Sequence, residues 1–92
     1  MFKKMKSLNL SYDKQGLIYF TCKNYKYLPV ETQEKIENLC QEVGGIYKKA
    51  LFDMMTNGKS ATAVATEYFM SEATAFRLKR KFYKRWEHFD SN

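Results

Sequence analysis

Two arginines, Arg77 and Arg80, stand one helical turn apart within "MSEATAFRLKRKFYKRW", residues 70 to 86. A guanidinium presents a fork of donors that matches the O6 and N7 edge of guanine, so such a pair can read bases. Glu72, Ala73 and Phe76 precede the pair. A carboxylate accepts from the amino group of cytosine, alanine lets a helix approach a groove, and an aromatic can touch a thymine methyl. Lys79, Lys81, Lys84 and Arg85 surround or follow the pair, and their charges suit phosphates, which attract without reading sequence. Lys59, Ser60 and Thr62 lie upstream, at the start of a shorter helical stretch, where they can touch the same backbone.

The charge is unevenly spread. Of the net +6, residues 1 to 46 supply +2 and residues 47 to 92 supply +4; between 71 and 85 six basic residues face only Glu72. A charge run on a terminal helix is often just a solvated face, but this concentration suits a polyanion partner better than general solubility.

These side chains need two helices to hold them. "SATAVATE" reads as a short helix with Ser60 as its N-cap, "YFM" interrupts, and Ser71 caps a longer helix with Glu72 in its first turn. On that helix Ala75, Leu78, Phe82, Trp86 and Phe89 follow helical spacing and form the expected buried stripe. Ala73, Phe76, Arg77, Arg80 and Tyr83 fall on the other side, which leaves Phe76 and Tyr83 as exposed aromatics. A short helix, a tight turn and a longer basic helix make the helix-turn-helix plan, with residues near the start of the second helix facing bases.

"VATEYFMSEATAF" resembles the "IAEELGVSRSTV" form of bacterial helix-turn-helix proteins position for position, with Ala65 at the helix crossing, Met70 as the apolar plug and Ser71 as the cap. It departs from that form at Phe69, where glycine is usual. A positive φ is uncomfortable for an aromatic, so a looser turn, or one of another type, is expected. The block from Tyr27 to Trp86 is similar to small ArpU-like transcriptional regulators of Firmicutes phages and integrative elements, and its last two helices to the DNA-binding region of sigma factors. The resemblance implies a cytoplasmic regulator of mobile-element genes in a bacterial host.

The whole chain is expected to be one mainly α domain: a cap segment at 1–28, a helical core at 29–56 and the helix-turn-helix at 60–88. In the cap, "SLNLSY", the turn-like "DKQG" and the β-rich "LIYFTC" read as a β-hairpin. A short helix from about Asp13 to Tyr25, with Ile18, Cys22 and Tyr25 on one side, is the competing reading. "LPVETQEKIENLCQEVGG" places Pro29 at the first helical position and Ile36, Leu39, Cys40 and Val43 at helical spacing. The pattern resumes after Gly44-Gly45 with Tyr47, Ala50, Leu51 and Met54, so two helices, about 29–43 and 46–56, are joined by a tight bend or form one kinked rod. Asn57 and Gly58 supply a left-handed stop.

Several functions are argued against. The longest apolar run, Leu17 to Phe20, is far too short to span a membrane, and the N-terminus lacks the apolar stretch of a secretory signal. Cys22 and Cys40 are far apart and read as reduced thiols. His88 has no ligand partner at metal spacing, and no nucleophile–base pair or phosphate loop supports an enzyme. Neither a metal nor a cofactor is expected. The expected partner is double-stranded DNA, read by a homodimer across two half-sites, because one such unit reads only a few base pairs. The alternatives are an inhibitor or adaptor whose basic aromatic helix docks on an acidic host or phage protein, and a DNA-packaging or recombination accessory protein.

Overall fold

Helix starts and stops set the architecture. The computed structural model describes residues 4–6 and 8–88, and these form five α-helices: α1 (Tyr12–Lys23), α2 (Val30–Gly44), α3 (Lys48–Thr56), α4 (Ala61–Glu67) and α5 (Glu72–His88). Short 3₁₀ turns at Tyr25–Tyr27 and Gly45–Tyr47 join the first three. No strand occurs among the described residues, and no helix is long and apolar enough to cross a membrane.

The hairpin reading of the cap segment does not hold. Ser11 caps α1 by accepting from the Lys14 amide at 3.1 Å, and Asp13 sits in the first turn. "DKQG" therefore lies inside a helix, although a mid-helix Gly16 costs about 1 kcal/mol relative to alanine. Tertiary burial overrides that local preference: Gln15, Ile18 and Cys22 form a stripe three and four residues apart that is sealed from water. The apolar Leu17 and Phe20 remain exposed on the same helix, and this blurs its periodicity in the sequence.

α2 begins one residue later than expected, at Val30, with the carbonyl of Pro29 accepting from the Thr32 and Gln33 amides at 3.0 Å. Gly45, at φ +54°, ends it, and one 3₁₀ turn carries the chain into α3, so the junction is a tight bend and not a kinked rod. At the end of α3 the left-handed residue is Gly58, at φ +67°, while Asn57 stays at φ −105°.

α3 and α5 each pack against all four other helices. Ile36, Leu39, Leu51, Met54, Met55, Val64, Phe82 and Tyr83 are among the buried side chains where they meet. The Cα radius of gyration is 12.2 Å, close to the roughly 12 Å typical of a folded chain of this length. Cys22 and Cys40 are free thiols inside this core; burial pushes both upward in pKa, Cys40 to about 12.

α5 differs from the expected stripe in two places. Ala75, Leu78 and Phe82 are buried as spacing implies, but Trp86 is only half-buried, with the Lys35 ammonium 3.9 Å from its ring centre. Tyr83, expected in the open, is 0% exposed. α1 and α2 both pack on α5, so its buried face is wider than one stripe. Phe89 lies outside the described residues.

Candidate nucleic-acid interface

α4 and α5 are held together by a capped turn. The Ser60 hydroxyl accepts from the Ala63 amide at 3.0 Å, and the Ser71 hydroxyl accepts from the Thr74 amide at 3.0 Å. Between them the Met70 amide donates back to the Ala65 carbonyl at 3.0 Å, a six-to-one closure that ends α4. Phe69 occupies the left-handed position of this turn at φ +57°. The expectation of a looser turn is corrected: the aromatic adopts the conformation that glycine usually supplies. Ala65 is buried at the crossing, and Met70 packs against the core.

The first half of α5 presents Glu72, Ala73, Phe76 and Arg77 to solvent, and Arg80 is half-buried beyond them. Phe76 keeps 45% of its surface in water. Glu72 is not idle, since its carboxylate accepts from the Thr62 hydroxyl at 3.1 Å and links α5 to α4. Such a bond must break or be shared if Glu72 is to accept from a base.

The phosphate candidates divide. Lys81, Lys84 and Arg85 line a groove of about 390 Å³ with His88 and Glu42. Lys81 and Lys84 are exposed, whereas the Arg85 Nε donates to Glu42 at 2.6 Å. Lys79 is half-buried, has no ion pair among the described residues, and is pushed below its ordinary pKa by loss of water.

Lys59 is engaged within the fold. Its ammonium lies 2.7 Å from Glu67 and 3.2 Å from Asp53, and these bonds hold its pKa up, that to Glu67 most. Asp53 also accepts from the Tyr68 hydroxyl at 2.5 Å, which lowers the carboxyl and raises the phenol to about 12. Lys59 is thus a strut between α3 and α4 before it is anything else.

No family model matches the chain, and no curated protein or solved structure matches it. The functional reading therefore rests on the chain's own residues.

Sequence reasoning passed over Lys4 and Lys6. The fold brings both beside Ser60, Thr62 and Lys79, more than fifty residues away in sequence. The short "KKMK" cluster was visible, but nothing local indicated where the chain would carry it. Elsewhere, a groove of about 400 Å³ between α2 and α3 is lined in part by Cys40, Phe52, Asp53 and Tyr68. Among the described residues no group of three His, Cys, Asp or Glu side chains could hold a metal ion.

Proposed function

We propose that this chain is a sequence-specific double-stranded DNA-binding protein, with α4 and α5 as its helix-turn-helix and α5 as the recognition helix. The observation that carries the reading is the division of α5 along its length. Its C-terminal end is tied to α1 and α2 through Lys14–Glu87, Glu42–Arg85 and Lys35–Trp86, while its first half leaves Ala73, Phe76 and Arg77 open beside a capped turn. That half is where a recognition helix meets base edges. Arg77 and Arg80 are its base readers, and Lys81, Lys84 and Arg85 supply phosphate attraction.

Control of phage or mobile-element genes in a bacterial cytoplasm belongs to the same proposal and is supported by the resemblance of "VATEYFMSEATAF" and its surroundings. So does a homodimer, for which the exposed Leu17 and Phe20 of α1 offer apolar contact area. Selection of duplexes from a random pool, followed by sequencing, tests the reading. An enriched motif supports it, and no duplex retention at low salt overturns it.

A second reading is favoured by Phe69, 93% exposed at the turn. An aromatic held there suits a protein contact, and the basic helix would then dock on an acidic partner.

A further inference from the structure

The N-terminal segment is fastened to the fold by the buried side chains of Gln15 and Leu8. Gln15, 0% exposed on α1, accepts from the Met5 amide at 2.8 Å through Oε1. Its Nε2 donates to the Met5 carbonyl at 3.3 Å and to the Leu10 carbonyl at 2.9 Å. Leu8, 4% exposed, sinks into the core just beyond, and its amide donates to the Met5 carbonyl at 3.3 Å. An amide side chain that bonds both the amide and the carbonyl of one residue in an irregular segment fixes the backbone there and, with it, the direction of the neighbouring residues.

Those neighbours are Lys4 and Lys6, both exposed. With Thr62 of α4 and Phe76, Lys79 and Arg80 of α5 they line a groove of about 490 Å³. Four cations from two distant parts of the chain therefore line one groove, and among the described residues no carboxylate lines it. Glu72 stands at its edge, turned to the Thr62 hydroxyl. The half-buried Lys79 lacks a carboxylate partner among the described residues, so this ammonium has given up water without gaining a counter-charge. A like-charged channel next to a base-reading helix fits a run of phosphates better than any neutral ligand.

We propose that the Gln15-clipped N-terminal segment is a second phosphate-binding arm, and that Lys4 and Lys6 close with Lys79 around the DNA strand lying alongside α5, leaving Arg80 at the base edges. The inference rests on the DNA-binding reading above. It assigns to Lys4 and Lys6, which are exposed and outside the core, a task separate from folding.

The test is the salt dependence of duplex binding by the full chain, read by fluorescence anisotropy for the parent, Lys4→Gln/Lys6→Gln and the control Lys48→Gln/Lys49→Gln. The arm pair should make the slope of log K against log salt shallower by about 1.8, two contacts at roughly 0.9 each. The control pair, equal in lost charge, should leave it unchanged. If the parent binds duplex and the arm pair leaves the slope intact, or both pairs flatten it equally, the arm is overturned while the DNA reading survives. If the parent binds no duplex at low salt, both fall. Polyglutamate competing with duplex as well as an unlabelled duplex does would assign the channel to an acidic protein and also overturn the proposal.

Discussion

The Met70 amide donates to the Ala65 carbonyl at 3.0 Å across a turn whose left-handed residue is Phe69. This closure usually has glycine at that position, because a Cβ there crowds the backbone at a cost of about 1–3 kcal/mol. The ring, 93% exposed, recovers none of it through burial. Phe69→Gly is therefore expected to stabilise the fold by about 1 kcal/mol, after allowing for glycine's greater freedom when unfolded. Urea unfolding measures this, and a less stable glycine variant would contradict the strain argument.

The widened buried face of α5 sets an order of sensitivity. Phe82→Ala and Tyr83→Ala should each cost about 3–5 kcal/mol, as for other buried aromatics. Trp86→Ala should cost less, about 2 kcal/mol, because part of its ring is already in water. Arg77→Ala should stay within about 0.5 kcal/mol. Thermal or denaturant melts would reverse the assignment of faces if Arg77→Ala proved as damaging as Phe82→Ala.

Tyr83 also carries a buried hydroxyl with no hydrogen-bond partner among the described residues. Removing an unsatisfied polar atom while keeping the ring relieves its desolvation, so Tyr83→Phe should be neutral or stabilising by up to about 1 kcal/mol. The same denaturant series reads it, and a loss of stability would reveal a partner for that oxygen.

Asp53 links stability to acid. Its carboxyl is lowered first by the Tyr68 hydroxyl, with Asn57 and Lys59 adding further bonds. A depressed folded pKa adds stability that is complete above the unfolded value, near 3.9, and is lost as pH falls below it through the folded value. Asp53→Ala should cost about 1.5–3 kcal/mol at neutral pH, the range for hydrogen bonds to a charged group. Melting of the parent and the variant from pH 7 to pH 3 should show the gap closing below about pH 4; a constant gap would sink the linkage.

If the proposed DNA-binding function holds, its proposed base readers and phosphate holders should fail differently. Arg77→Ala should cost about 1–3 kcal/mol on a selected site and much less on scrambled duplex. Lys84→Ala should weaken both alike and reduce the salt slope by about one. Titrations at several salt concentrations separate the two, and equal losses on both duplexes for Arg77→Ala would remove it from base reading.

The sequence is legible where a single buried stripe repeats at helical spacing and a cap precedes it. Ile36, Leu39 and Cys40 announce α2, and Ser60 and Ser71 announce α4 and α5. It misleads where burial comes from more than one side. α1 carries apolar residues around its circumference, so its turn-like "DKQG" tilts the reading only slightly from a short helix to a hairpin. Tyr83 looked exposed because nothing in α5 itself shows that α1 will cover it. On the candidate interface, the open start of α5 was readable from spacing alone. The pairing of Lys59 with two carboxylates and the arrival of Lys4 and Lys6 were not, since both depend on how separate helices meet.

The clasp on the second half of α5 has a consequence for how this helix can be used. Lys14 reaches Glu87 at 2.5 Å, Glu42 holds Arg85, and Lys35 covers Trp86, so α1 and α2 grip α5 from positions far along the chain. Cut out as a peptide, residues 60–88 would expose Leu78, Phe82 and Tyr83 at once and lose the partners that keep them ordered. Whatever α5 contacts, it is not a portable cassette that could be grafted onto another scaffold. A change of target must come by replacing side chains one at a time on its open half, with the rest of the domain kept intact.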